Sequence, residues 1–199
     1  LSGGDGNDTA TYAYVGVGNN VTIDLKDGTA TVTGTDIDTL SSIENIVGTN
    51  ENDIIKMDTV SVSNTIDGSG GNDTISYEYF TSDITVKLGE SSAQEIISLN
   101  FDTLSSIENL ITGSGDDTLI GGTGNTSNSL VGGAGNDNFI MGVYDDTNDI
   151  LIDGDDGVDY IFGGDGTSDT VDYSVFDKSI NVSLNQSSEV TVDVDTYGN

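Results

Sequence analysis

Apolar residues along this chain recur singly or in strict alternation, never with a helical period. Three segments alternate over five positions: VTIDL from Val21, ITVKL from Ile84 and INVSL from Ile180. A period of two is the mark of a strand with one buried face. Elsewhere one large apolar residue follows an Asp or Asn by two positions: Ile55, Ile75, Leu119, Leu130, Phe139, Leu151, Ile161 and Val171. Each lies next to a glycine-rich turn, so very short strands are predicted with one inward side chain apiece. No apolar run approaches the length of a membrane-spanning helix.

These short strands belong to a repeat. GGDGNDTAT starts at Gly3, GTNENDIIK at Gly48, GSGGNDTIS at Gly68, TGSGDDTLI at Thr112 and GGAGNDNFI at Gly132. GDDGVDYIF at Gly154 and GGDGTSDTVD at Gly163 fit with small shifts, and GGTGNTSNSLV at Gly121 lacks the aspartate. A weaker copy ends at Asp149. The shared pattern is G-G-x-G-x-D-x-U-x, with U apolar. A longer period overlies it: DTLSSIEN occurs at Asp38 and identically at Asp102. Tyr12, Tyr77 and Tyr173 each follow a turn aspartate by four positions and are predicted to pack the start of a longer excursion. The fold expected is all-β, a parallel β-roll or β-helix solenoid over residues 1–199. Its nonapeptide turns fall near 3–11, 48–76 and 112–172, with excursions near 12–47, 77–111 and 173–199. Because the chain opens inside one repeat and closes inside an excursion, it reads as part of a longer protein.

Charge sharpens the chemistry. Four lysines, no arginine and 35 Asp and Glu residues give a formal net charge of −31. Nucleic-acid backbones and anionic membrane surfaces are excluded as partners by that balance. The charge opposes folding unless cations neutralise it, and it is spaced at regular intervals rather than run together in blocks. With no His or Cys, iron, copper and zinc are poorly served and Ser-His-Asp or Cys-His catalysis is ruled out. Every strong Asp position is absorbed by the turn motif, so the segment is expected not to be an enzyme.

In the nonapeptide, the glycines allow a tight loop that exposes carbonyls, and the sixth-position aspartate adds a carboxylate. Two strands and two loops make a coil of about 18 residues, and coils stack at about 4.8 Å. The gap between stacked loops is lined by oxygen alone, which suits Ca²⁺ with its six to eight hard ligands. The core is thin, so ion binding and folding are expected to be one event. Loops sharing an ion fall one coil apart: Asp53 with Asp73 and Asp117 with Asp137, each 20 residues apart. Asp159 is expected to continue the ladder of Asp137, and Asp149 with Asp169 to form part of the opposite one. Ser41–Glu44 and Ser105–Glu108 fit the S-x-x-E capping box of a short helical turn. Asn45 and Asn109 suggest a stacked amide ladder. Tyr77, Tyr79 and Phe80 form the best local candidate for an exposed contact surface.

The nonapeptides resemble the RTX (repeats-in-toxin, haemolysin-type) calcium-binding family. The resemblance implies several Ca²⁺ ions, about five to eight, fewer than the repeats. It places the ligand role on Asp8, Asp53, Asp73, Asp117, Asp137, Asp149, Asp159 and Asp169. Loop carbonyls would come from Gly3, Gly4, Gly6, Gly48, Gly68, Gly70, Gly113, Gly115, Gly132, Gly133, Gly135, Gly154, Gly157, Gly163, Gly164 and Gly166. It further implies export by type I secretion and folding on external calcium. The leading expectation is a calcium-rigidified structural module of a bacterial adhesin, surface-layer protein or exoprotein, secreted or at the cell surface. Its partners are calcium and the neighbouring repeats of the parent protein. Competing readings are a module that binds a polysaccharide or other surface ligand, and an accessory module of a secreted enzyme.

Overall fold

A computed structural model describes residues 1–34, 37–60, 63–89, 92–97, 100–122, 128–140, 143–145, 150–152, 160–162, 170–172 and 192–193. They form strands and turns with no helix, arranged as three parallel ladders. The first stacks Thr9–Thr11, Asn45–Val47, Thr65–Asp67 and the end of Asn100–Ser105. The second stacks Val21–Asp24, Ile54–Lys56, Thr74–Ser76, Asn109–Ile111, Ser129–Val131 and Tyr160–Phe162. The third stacks Thr85–Lys87, Thr118–Ile120, Asn138–Ile140, Thr170–Asp172 and Val192–Asp193. This is the parallel roll expected from the repeat.

In the ladders the middle side chain of a three-residue strand turns inward, and register stacks those side chains in columns. Ala10, Ile46, Ile66 and Leu104 form one column; Ile23, Ile55, Ile75, Leu110 and Leu130 another; Val86, Leu119 and Phe139 a third. All are buried. Of the eight U positions, Ile55, Ile75, Leu119, Leu130 and Phe139 are thus core residues, and Leu151, Ile161 and Val171 lie in strands.

Coils come in two sizes. In the first ladder Thr9, Asn45, Thr65 and Thr103 are successive partners, and the step from Asn45 to Thr65 is much shorter than those on either side. The third ladder alternates in the same way, with a short step from Thr118 to Asn138 between long ones from Thr85 and to Thr170. A plain coil repeats every 20 residues, as from Asp53 to Asp73, slightly more than the expected length of about 18. The DTLSSIEN excursions complete the longer coils. Local antiparallel additions take up the extra length. Thr29–Val32 and Ile37–Thr39 extend the second ladder beyond Val21–Asp24, and Gln94–Ile97 pairs with Asn100–Ser105.

A hairpin of Val143–Asp145 with Ile150–Ile152 overturns two expected ladders. It lengthens the coil, so Tyr160–Phe162, which follows Asp159, joins Ser129–Val131 instead of the strand after Asp137. Thr170–Asp172, which follows Asp169, is the strand that continues the Asp137 ladder. Ile150–Ile152, which follows Asp149, is antiparallel to Val143–Asp145, whereas Thr170–Asp172 is parallel to Asn138–Ile140.

The octapeptides also differ from expectation. No helical turn forms at Ser41–Glu44 or Ser105–Glu108. Ser42 and Ser106 have φ of 51° and 52°, a left-handed conformation that cannot continue a right-handed turn. What each octapeptide does hold is a tyrosine. Tyr77 Oη donates to Asp102 Oδ2 at 3.0 Å, and Tyr12 Oη to Asp38 Oδ2 at 3.2 Å. Tyr77 is fully buried and packs edge-to-face on Phe80 at 5.3 Å. Tyr77 and Phe80 are therefore core, not contact surface. The Lys26 ammonium sits over the ring of Tyr79, whose Oη donates to Asp24. Tyr173 lies outside the described residues.

Asp102 is buried and accepts from Tyr77 Oη, Asn64 N and Asn64 Nδ2. Burial pushes its carboxyl up, and the Asn64 and Tyr77 donors oppose the shift. Tyr77→Phe removes one of these donors and is expected to destabilise the fold by about 1–3 kcal/mol, measured by denaturant unfolding at fixed calcium. Tyr79→Phe, at a partly exposed site, is the control and is expected to change little.

Candidate metal centre

The residue just before each strand is the one on which the coils meet. In plain coils it is the sixth-position aspartate, and its backbone is already committed. Its carbonyl accepts from the next rung: Thr74 N to Asp53 O at 2.9 Å, Asn138 N to Asp117 O at 2.8 Å. Its N–H points at the next carboxylate. Asp53 N donates to Asp73 Oδ1 at 2.7 Å, Ile84 N to Asp117 Oδ1 at 3.0 Å, and Asp117 N to Asp137 Oδ1 at 2.9 Å.

The position before it runs the opposite way. Asn72 N donates to Asn52 Oδ1 at 2.9 Å, Asp116 N to Asp83 Oδ1 at 2.9 Å, and Asn136 N to Asp116 Oδ1 at 2.8 Å. Adjacent loops are thus stitched by a reciprocal pair of side-chain-to-backbone bonds. Sequence reasoning missed this second set. Its signal was the recurrence of Asn or Asp at position five: Asn7, Asn52, Asn72, Asp116 and Asn136. Asn45 and Asn109 join it rather than stacking on one another. Asn45 Nδ2 donates to Asn7 Oδ1 at 2.5 Å and Asn109 Nδ2 to Asn72 Oδ1 at 2.6 Å.

The stitch uses one carboxylate oxygen and leaves the other. Oδ2 of Asp8 and Asp73 is buried without a hydrogen-bond partner. Asp73 and Asp117 are themselves buried residues. Each of these carboxylates folds back over its own loop. A methyl group on Gly68 would lie 2.5 Å from Asp73 Oδ2 and would also collide with the carbonyl oxygen of Ser106 on the stacked loop. The first-position glycine thus keeps open a gap lined by a carboxylate oxygen and a neighbouring carbonyl. Three loops share one backbone form. The second and fourth positions have φ of 97° and 130° at Gly4 and Gly6, 74° and 129° at Ser69 and Gly71, and 87° and 130° at Gly133 and Gly135.

Asp53 is the exception. Its Oδ2 accepts Thr49 N at 2.6 Å, and its Oδ1 accepts Val21 N at 2.7 Å and Thr49 Oγ1 at 2.9 Å. Thr49 stands where the motif has its second glycine. The degenerate copy is similar, since Asn128 takes the aspartate slot and its Oδ1 accepts Gly122 N at 2.8 Å. Asp149, Asp159, Asp169, Gly154, Gly157, Gly163, Gly164 and Gly166 lie outside the described residues.

A buried carboxylate oxygen with no donor demands a proton or a cation. Burial pushes Asp73 up to about 7, against the opposing Asp53 N–H, with Asp53, Glu108 and Asp67 adding repulsion. Burial also raises Asp117, opposed by the Ile84 N–H and by the Thr112 hydroxyl and Gly113 N–H of its own loop. Lys56 pairs with Glu78 at 2.8 Å, at the far end of the strands that Asp53 and Asp73 begin. Among the described residues no three acidic side chains converge, so a cation here would draw on carbonyls as well as carboxylates. That donor set is hard oxygen throughout and fits Ca²⁺.

A family model of the RTX calcium-binding nonapeptide repeat matches the chain in four copies, over residues 62–77, 103–139 and 148–168. No curated protein matches the chain. These repeats bind Ca²⁺.

The titration of Asp73 sets a pH dependence. An unfolded aspartate titrates near 3.8, and this one near 7 in the fold. A raised folded value means that the calcium-free fold loses stability as pH climbs through that window; the loss is absent below 3.8 and complete above about 7. Calcium must displace the proton that Asp73 holds at lower pH. The half-saturating calcium concentration is therefore expected to rise as pH falls below about 7, with proton release seen calorimetrically in buffers of different ionisation enthalpy.

Proposed function

We propose that this chain, which carries RTX calcium-binding nonapeptide repeats, is a structural module of an exported bacterial protein that folds and stiffens on meeting extracellular calcium. The observation that carries the reading is the buried Oδ2 of Asp73, which has no donor. Without an ion the stacked loops hold desolvated carboxylates among a surplus of like charge, and folding is opposed. With calcium the same oxygens become ligands, and successive coils are clamped together. A calcium-poor cytoplasm would keep the chain unfolded for type I secretion, and a calcium-rich exterior would drive folding in place. Residues 1–199 act as one continuous segment, its neighbours being further repeats of the parent protein, at the cell surface or in secreted form. No catalysis is assigned to it.

On this reading Asp8, Asp73, Asp117 and Asp137 supply carboxylate ligands, with loop carbonyls beside them. Asp53 contributes mainly through the donors of Thr49 and Val21, so its rung depends less on the ion. The competing reading, a module that binds a polysaccharide or another ligand, draws on Tyr14 and Val17, 94% and 97% exposed in one glycine-containing loop.

The test is far-UV circular dichroism during calcium titration of chelated protein, with magnesium as control. A cooperative coil-to-β transition with calcium alone is expected. A β-spectrum unchanged by chelation would overturn the proposal. Asp117→Asn is expected to raise the calcium midpoint several-fold. Asp53→Asn is expected to leave that midpoint close to wild type.

A further inference from the structure

We infer that the two DTLSSIEN octapeptides build calcium sites of their own, with Glu108 and Glu44 filling the place that an aspartate holds in the nonapeptide rungs. The inference rests on the calcium reading above and extends it to loops outside the nonapeptide motif. The loop 68–73 packs on one side against 48–53 and on the other against 106–108. Toward 106–108 the stitch is the same in form. Asp73 N donates to Glu108 Oε2 at 2.8 Å, as Asp53 N donates to Asp73 Oδ1 at 2.7 Å. Asn109 N donates to Asp73 O at 2.9 Å, and Asn109 Nδ2 reaches Asn72 Oδ1 at 2.6 Å.

Between these loops lies the gap at Gly68. Asp73 Oδ2, fully buried and without a donor, faces it from one coil, and the Ser106 carbonyl faces it from the other. The left-handed φ of Ser106, 52°, shapes the turn that presents that carbonyl. Glu108 stands on the same stacked pair, its Oε2 accepting Asp73 N at 2.8 Å.

The first octapeptide repeats every part of this arrangement. Asp8 N donates to Glu44 Oε2 at 3.0 Å, and Asn45 N to Asp8 O at 2.9 Å. Ser42 has φ of 51°. Its carbonyl oxygen meets the position a methyl on Gly3 would take, and Asp8 Oδ2 is buried without a partner. A chance hydrogen bond would not reproduce the acceptor, the left-handed serine, the glycine gap and the donorless oxygen together. Two carboxylates with carbonyls balance a divalent charge, and the hard oxygens and loose geometry select calcium over magnesium.

Glu108→Gln keeps an acceptor for Asp73 N–H but removes the charge. The experiment counts calcium bound per chain in the full chain, by elemental analysis after gel filtration at fixed free calcium and by isothermal titration. Glu108→Gln and Glu44→Gln are each expected to lose one ion, and the double variant two, with the β-spectrum at saturating calcium retained. Because the two sites are independent copies, Glu44→Gln decides the matter if Glu108→Gln does not fold. An unchanged calcium count in folded variants would overturn the inference. If that happens while Asp117→Asn still loses an ion, the general calcium reading stands and only the octapeptide sites fall. If wild-type chain binds no calcium, both fall.

Discussion

A carboxylate withdrawn from water needs donors or a cation, and this chain brings few cations of its own: four lysines against 35 Asp and Glu side chains. The solenoid concentrates that problem at one residue per turn. The aspartate before each strand gives its carbonyl and N–H to the neighbouring coil and receives an N–H on Oδ1. At Asp73 the second oxygen is left facing a gap that the first-position Gly68 keeps open. Asp53 shows the alternative solution, in which Thr49 supplies the missing donors. Where no such residue stands, as at Asp73, the second oxygen has no protein donor.

The rest of the architecture follows from how little else holds a coil in place. The strands of the three ladders each place one apolar side chain in a column, so the columns headed by Ala10, Ile23 and Val86 are one residue wide. The reciprocal stitch at positions five and six fixes the register of these thin layers without help from a broad core. The excursions are held by their own buried contact, Tyr77 with Asp102 and Tyr12 with Asp38. Long coils therefore stack beside plain ones without disturbing the ladders.

Much of this was legible in the sequence, because a fixed spacing converts directly into register. The equal separations of Asp53 from Asp73 and Asp117 from Asp137 became stacked loops, and the U positions became core columns. What misled was local pattern that tertiary contacts override. Ser-x-x-Glu at 41–44 and 105–108 looks like a cap, yet the N–H groups that claim Glu44 and Glu108 come from Asp8 and Asp73, each a full coil away along the chain. The partner strands beyond residue 140 shifted because the hairpin of Val143–Asp145 and Ile150–Ile152 inserts length that periodicity alone does not reveal. Tyr12 and Tyr77 pack the start of their excursions as expected, while the alternative of a contact surface at Tyr77 and Phe80 falls, because Tyr77 finds its acceptor in the distant Asp102.

The most direct test of the donorless-carboxylate account is a crystal structure of calcium-saturated protein with anomalous data. Strong anomalous peaks are predicted between stacked loops, within about 2.3–2.6 Å of Oδ2 of Asp73 and Asp117, with none of comparable height at Asp53. Fully ordered loops whose Asp73 and Asp117 Oδ2 atoms meet only protein donors or water, with no ion between the coils, would contradict it.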